Sequence, residues 1–327
     1  MALENYALLA PIVEFPLSQG VNNTIEGIHT GSGDYVLKHY RAPHHIESIQ
    51  YEHDLLKWLA EQSLSFAVPT PIETPDGRSF YQDDDGYHVL MPLLPGQPVD
   101  CRNLIQVKAM GSALGELQSA LIAHPLTPRP HAAIFGDLGH IHPLIPQPRY
   151  LKPEDVGWPK TRAFDALCAW WREEIAVLDT FLMDTYPLLP KQVIHGDIAP
   201  SNALYHDGRI SAMLDFEFAG PDARVIDVAS GLKFCMRIWE NDAPWEIGSA
   251  FMQVYQGQIS LTSMEWGSLI EIMILRDVVS TIWWLGRHLS DGTQPDPERM
   301  EAQRDFKRWL TTHRARLEDL WTEGSAA

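Results

Sequence analysis

The chain has 327 residues, 45% of them hydrophobic, with 11 Trp, 11 Phe and 10 Tyr: enough apolar bulk for one large domain or two lobes around a cleft, and too much for a disordered chain. Its 43 acidic residues against 25 basic ones give a formal net charge of -18, a field that repels nucleic acid and anionic membranes and favours cationic or zwitterionic small molecules. Cys101, Cys168 and Cys235 form no Cys-x-x-Cys pair, which argues against a zinc site or a disulfide framework and points to a reducing, cytoplasmic setting.

Met1 to Phe15 carries Glu4 and Glu14 and no basic start, so it does not read as a signal peptide. No uncharged apolar run of about 18 residues predicts a membrane span. Strands are expected at Asn22 to His29 and Tyr35 to Tyr40, joined by the turn-forming Thr30-Gly31-Ser32-Gly33-Asp34. Before the first of them, Ser18 to Thr24 offers Gly20, Asn22, Asn23 and Thr24 as backbone and side-chain donors to a phosphate, although a plain turn explains the stretch as well. A helix follows from His44 to Gln62, with Ile49, Leu56 and Leu59 at helical spacing. Beyond the Pro-rich Val68 to Asp76, a hairpin is expected around Asp83-Asp84-Asp85-Gly86, and the strand Tyr87 to Leu94 stops at Pro95-Gly96. The lobe boundary is placed there, with a nucleotide-binding lobe over 1–94 and a helical lobe over 95–327 that carries the catalytic loop and acceptor site.

In the second part, Asn103 to His124 is amphipathic through Leu104, Val107, Met110, Leu114, Leu117 and Leu121. His124 to Pro159 is rich in Pro, His and Gly and reads as a surface loop or short helix. Further helices are expected at Arg162 to Thr185, Arg224 to Trp239, Ala243 to Gln256, Met264 to Leu289, and Pro297 to Trp321.

The chemistry concentrates in Val193-Ile194-His195-Gly196-Asp197-Ile198-Ala199-Pro200-Ser201-Asn202, followed by Leu214-Asp215-Phe216-Glu217. Asp207-Gly208 between them is a two-residue hairpin turn. Counting back from it pairs His206 with Arg209 and sets Asn202 opposite Met213, about 7 Å along the ladder from Asp215. Phosphoryl transfer from ATP needs a carboxylate to orient and deprotonate the attacking hydroxyl, the role expected of Asp197. It also needs hard oxygen ligands for Mg²⁺, expected of Asn202 and Asp215. Lys38 lies between apolar neighbours on its strand, where it can grip phosphates. Glu52 shares the inward helical stripe of Ile49, Leu56 and Leu59 and can hold that lysine, whereas Glu47 falls on another face. Taken singly these residues are ordinary turn, cap or surface groups; it is the set that is specific.

At these residues the chain resembles the aminoglycoside phosphotransferase/choline kinase family. The catalytic loop His195-Gly196-Asp197-x4-Asn202 and the metal segment Leu214-Asp215-Phe216-Glu217 carry the likeness. Gly20 to Thr24 together with Tyr35-Val36-Leu37-Lys38 is similar to the start of the type II homoserine kinase branch. The resemblance implies an α+β, protein-kinase-like two-lobed fold, with a small antiparallel N-terminal sheet plus one helix and a mainly α-helical C-terminal lobe. It implies an ATP- and Mg²⁺-dependent kinase acting on a small-molecule hydroxyl, homoserine-like or an aminoglycoside. It also implies adenine contacts from Met91 and Leu93, ahead of Leu93-Leu94-Pro95-Gly96, and a bracing role for Asp227 in Val225-Ile226-Asp227-Val228-Ala229. His-Gly-Asp replaces the His-Arg-Asp of protein kinases, Phe-Glu replaces Phe-Gly, and no Ala-Pro-Glu segment follows. These departures disfavour the rival readings of a protein Ser/Thr kinase; an inactive nucleotide-binding module is disfavoured by the intact polar set.

Other groups are set aside. His124, His131, His140 and His142 match no zinc spacing. Trp170-Trp171 and Trp283-Trp284 read first as helix packing, with an aromatic wall for a cation as the alternative. Arg276, Asp277 and Arg287 fall on a helix that in this family can border the acceptor pocket. Solvated helix charges are their default reading, and binding of an acceptor carboxylate or amine is the alternative.

Overall fold

The computed structural model describes residues 2–17, 23–40, 45–236 and 244–323. Alternating strand patterns and two tight turns build a five-stranded antiparallel sheet in the order β1-β2-β3-β5-β4: β1 (Ile12–Pro16), β2 (Thr24–Thr30), β3 (Gly33–Tyr40), β4 (Tyr81–Asp83) and β5 (Gly86–Pro92). The sequence reading missed β1, whose residues are largely exposed and give no inward stripe. One helix, α1 (Ile46–Ala60), buries Ile49, Leu56 and Leu59 in a core shared with Tyr40, Val89 and Met91 of the sheet. Its inward face also carries Glu52 and His53.

His53 is fully buried, 3.0 Å from the Tyr40 hydroxyl and 2.8 Å from Ser79 Oγ, and burial pushes its imidazole down to about 4 from 6.5. Between those two values the unfolded chain binds a proton that the folded chain refuses. Stability therefore falls as pH drops through this window, by up to about 3 kcal/mol. His53→Gln is expected to flatten that part of the stability–pH curve measured by urea unfolding. An unchanged slope in the variant would remove His53 as its cause.

The chain leaves the sheet at Pro92 and re-enters structure as β6 (Gln97–Pro98). The remaining elements are α2 (Leu104–Leu121), α3 (Arg162–Asp184), β7 (Lys191–Ile194), β8 (Ala203–His206), β9 (Arg209–Met213), β10 (Gly220–Ala223), α4 (Val225–Met236), α5 (Pro244–Gln256), α6 (Ser263–Ser290), α7 (Glu298–Thr312) and α8 (Arg314–Glu323). Two small antiparallel sheets, β6-β8-β9 and β10-β7, sit among these helices. Close helix packing supports them. A Cβ added at Gly111 of α2 would lie 2.5 Å from the Phe251 carbonyl of α5, so only glycine lets the two helices approach this far.

The helix expected over Pro297 to Trp321 is two helices. Both the backbone N–H and Nδ1 of His313 meet the Trp309 carbonyl, and the chain turns there. The turn buries Leu317 and lays Arg316 over the Trp245 ring of α5. The Pro-rich segment after α2 contains three short 3-10 turns, Leu138–His140, Pro148–Tyr150 and Pro153–Val156. Indole N–H groups hold it to the helices: Trp171 donates to Pro148 O at 2.9 Å, and Trp158 donates to Pro295 O at 2.7 Å. Among the described residues, no helix is long and apolar enough to cross a membrane.

Candidate active site

The loop after β7 is fixed from below by Asp227, at the start of α4. Its fully buried carboxylate accepts the N–H groups of His195 at 2.8 Å and Gly196 at 2.9 Å. Burial pushes this carboxyl up, and the two N–H donors with His195 and Arg276 oppose that shift. Gly196 has φ +82, and a Cβ there would lie 2.5 Å from Phe218 O, which accounts for glycine between His195 and Asp197. His195 Nδ1 accepts the Asp197 N–H at 3.2 Å, so its ring proton sits on Nε2, which donates to Leu214 O at 2.9 Å. One imidazole thus couples the Asp197 loop to the strand end that carries Asp215.

Asn202 Nδ2 donates to the Asp197 carbonyl at 3.0 Å and to Asp197 Oδ2 at 3.1 Å, leaving Asn202 Oδ1 as the oxygen available to a cation. The β8–β9 turn pairs His206 with Arg209 as counted, but a β-bulge between Leu204 and Tyr205 shifts the ladder by one. Ala203, not Asn202, faces Met213. Asn202 O instead accepts the Leu214 N–H at 2.8 Å, so Asn202 stands one residue from Asp215 along the ladder rather than two. Asp215 itself adopts φ +66, a conformation costly for a non-glycine residue and typical of sites that fix a side chain.

Lys38 Nζ lies 3.3 Å from Glu52 Oε1, 3.6 Å from Glu217 Oε2 and 3.8 Å from Asp215 Oδ1. Its side chain is 10% exposed and that of Glu52 is 2% exposed. Burial alone would push the ammonium down; Glu52, Tyr40, Glu217 and Asp215 outweigh it and hold the pKa well above its ordinary value. For Glu52 burial acts upward, and Lys38, His53 and Arg129 bring the net shift below the usual carboxylate range. Asp215 is driven the other way, up to about 7, first by desolvation and then by Glu217, with Lys38 opposing. Its side chain remains 37% exposed, an open side from which a cation can approach. Asp215 and the Asn202 amide oxygen are oxygen donors of the kind a hard divalent ion takes, and the neighbouring Glu217 adds negative charge beside them.

Of the phosphate-loop candidates, Gly20 and Asn22 lie outside the described residues. Asn23 is buried and its amide donates to Glu217 Oε2, while Thr24 opens β2 opposite His39. Met91 is buried on β5 opposite Val36. Leu93 follows β5, and its N–H donates to Asp34 O at 3.0 Å, so that group is engaged within the sheet.

Two residues beyond the expected catalytic, metal and nucleotide set join the site. Glu217 reaches Lys38 from the short 3-10 turn Phe216–Phe218; its only sequence signal is that it stands two residues after Asp215, where Phe-Gly is usual. Arg276 was assigned by default to a solvated helix face, yet its Nη2 is 2.5 Å from Asp197 Oδ1 and its side chain is 11% exposed. The signal was its spacing: it interrupts the buried stripe Leu269, Ile272 and Val279 of α6. Trp171 is core packing, as read.

The family model described as the phosphotransferase enzyme family (APH) matches residues 16–262. A homoserine kinase of Rhizobium meliloti (strain 1021) is 27% identical over 308 residues, covering 91% of this chain and 86% of that relative. A homoserine kinase of Granulibacter bethesdensis is 26% identical over 262 residues, covering 77% and 74%. Among solved structures, a microcompartment-associated aminopropanol kinase superposes with a TM-score of 0.71 at 17% identity, covering 98% of this chain and 97% of its own. An amicoumacin kinase in complex with AMP-PNP, Ca²⁺ and its amicoumacin ligand gives 0.67 at 16% identity, covering 97% and 91%. The protein-kinase-like, two-part α+β fold is common to this chain and these kinases.

Proposed function

The chain belongs to the phosphotransferase enzyme family and is an enzyme that phosphorylates a hydroxyl of a small molecule; we propose that it moves the γ-phosphoryl group of ATP, with Mg²⁺, to a small amino alcohol of the homoserine class. The observation that carries this reading is the meeting of separate elements at one place. Lys38 from β3 stands within 4 Å of Glu52 from α1 and of Asp215 and Glu217, while Asp197 and Asn202 are hydrogen-bonded to each other.

In this reading Lys38, held by Glu52, binds the nucleotide phosphates. Asn202 Oδ1 and Asp215 would hold the cation, which when bound neutralises charge on those phosphates. Asp197 orients the acceptor hydroxyl and takes its proton as the oxygen attacks phosphorus in line, giving a phosphate monoester and ADP. Asp227 and His195 keep the Asp197 loop in place through the contacts described above. Met91 and Leu93 would border the adenine, and the backbone around Gly20, Asn22, Asn23 and Thr24 would cover the phosphates. The acceptor class is taken from the homoserine kinases that align over most of the chain. Placement in the cytoplasm fits three cysteines that form no disulfide among the described residues.

ADP release with Mg-ATP is the test, over L-homoserine, choline, several aminoglycosides and a few sugars. Saturable turnover on L-homoserine, abolished by EDTA, is the expected result. Silence with every acceptor while ATP still binds would replace this reading with that of a non-catalytic nucleotide-binding protein. Turnover confined to a protein substrate would replace it with that of a protein kinase.

A further inference from the structure

Arg276 departs from what an acidic protein would present to a cationic acceptor. It projects from α6 to Asp197, with Nη2 2.5 Å from Oδ1. Among the described residues its buried Nε has no hydrogen-bond partner, an expense that a guanidinium bears where a ligand completes it. The group is also held in place. Its carbon lies 5.4 Å from the centre of the Phe135 ring, and the Phe135 N–H donates to Asp222 Oδ2 at 2.8 Å. Asp222 is tied in turn to the Tyr186 hydroxyl at 2.5 Å. The same side of the site carries two more cations. Lys233 of α4 pairs with Asp277, and Arg299 of α7 stacks on Trp284 and donates to Ser280 Oγ. Burial and the neighbouring Arg276 both pull the Arg299 guanidinium down, so these positive groups lie close enough to repel one another.

The local count matters. Arg276 and Arg299, with Lys233 pulled down to about 7 by burial and by both arginines, stand among three carboxylates, Asp197, Asp277 and Asp227, in a molecule of net charge -18. One of those carboxylates, Asp197, must turn to the acceptor hydroxyl for the reaction proposed above, which leaves Arg276 without its anion. An acceptor that brings its own carboxylate replaces that partner; choline, an aminopropanol or an aminoglycoside offers only positive charge to an arginine that has just lost its direct ion pair.

We propose that Arg276 is the acceptor-specificity residue, and that it receives the carboxylate of an amino-acid alcohol on its planar fork and so releases Asp197 to the hydroxyl. This rests on the phosphotransferase reading and narrows its acceptor from amino alcohols in general to those carrying a carboxylate.

The test compares L-homoserine with homoserinol, in which the carboxylate is replaced by hydroxymethyl, for the wild type, Arg276→Met and Arg276→Lys. A charge-assisted contact of this kind predicts a wild-type preference for homoserine of about a hundredfold in kcat/KM. Arg276→Met is expected to lose about that factor more for homoserine than for homoserinol, mostly through KM, so that the preference between the two acceptors collapses. Arg276→Lys is expected to regain part of the homoserine loss. Equal wild-type turnover of both acceptors overturns the proposal while leaving the phosphotransferase reading intact, and it does so even if neither variant folds. Equal loss on both acceptors in Arg276→Met also overturns it, because a guanidinium that only braces Asp197 or serves the transferred phosphoryl group acts on both alike. Turnover of neither by the wild type, with choline or an aminoglycoside accepted instead, overturns it as well, and silence with every acceptor sinks the underlying reading.

Discussion

Asp197→Asn is expected to lower kcat by about a thousandfold while ATP affinity, measured by calorimetry, stays within about threefold. The separation follows from where the contacts go. Asp197 is bonded to Asn202 and Arg276, on the acceptor side, whereas Lys38 is bonded to Glu52 and lies against Asp215 and Glu217. Removing the negative charge at Asp197 takes away the proposed proton acceptor and leaves the cluster around Lys38 as it was. Asparagine keeps the volume and one oxygen, so one of the two donors, Asn202 Nδ2 or Arg276 Nη2, meets an amide NH₂ instead. That misfit accounts for a stability loss of about 1–3 kcal/mol, measurable by urea unfolding and distinct from the kinetic effect. Asp197→Ala leaves Arg276 with no partner at 11% exposure and is expected to cost more stability for a similar loss of rate. Turnover by Asp197→Asn within tenfold of wild type would remove Asp197 from the role of base.

Much of this arrangement was legible because local chemistry and global fold agree. Asp207-Gly208 dictates a hairpin, and the hairpin brings the Asn202 and Asp215 ends of β8 and β9 together. The inward stripe Ile49, Glu52, Leu56 and Leu59 turns Glu52 toward the sheet, where it meets Lys38. What escaped depends on tertiary placement. The bulge beside Ser211 has no composition signal: the Ser211 hydroxyl reaches Pro95 O at 2.5 Å and Leu204 O at 3.2 Å, so a residue 116 positions earlier helps to hold it. Arg276 is 79 residues from Asp197, and helix periodicity says only that it faces inward, not what it meets there. The break between α7 and α8 escaped for a similar reason, since His313 is an acceptable helix residue and it is packing on Trp245 that bends the chain.

The site also shows how an acidic chain can serve an anionic donor. Its net charge acts at long range and is screened by salt, whereas Lys38 acts at contact distance in a desolvated place. Neighbouring carboxylates strengthen that lysine instead of opposing it, because they keep it protonated despite its burial. Asp197 likewise meets a cation at contact distance, Arg276, which together with burial pulls Lys233 and Arg299 down.

Lys38→Met tests the lysine's part, and its consequences reach stability as well as rate. The ammonium stands within 4 Å of three carboxylates, Glu52, Asp215 and Glu217. Removing it leaves buried negative charges facing one another, a change that costs about 3–5 kcal/mol when one partner of a buried pair is lost. It also removes the cation that binds phosphate in the proposed mechanism, and kcat/KM for ATP is expected to fall by at least about a hundredfold. The pH dependence distinguishes this from simple loss of packing. In the wild type Lys38 helps to hold Glu52 below its ordinary value of 4.5; without Lys38, burial and the neighbouring carboxylates push the carboxyls upward. A carboxyl raised in the folded state binds a proton there more readily than in the unfolded chain, so folding gains as pH falls through the raised value toward 4.5. The destabilisation of Lys38→Met, measured by urea unfolding, is accordingly expected to be largest near pH 8 and clearly smaller near pH 5. A pH-independent loss would mean that the lysine acts through the packing of its aliphatic stem and not through its charge.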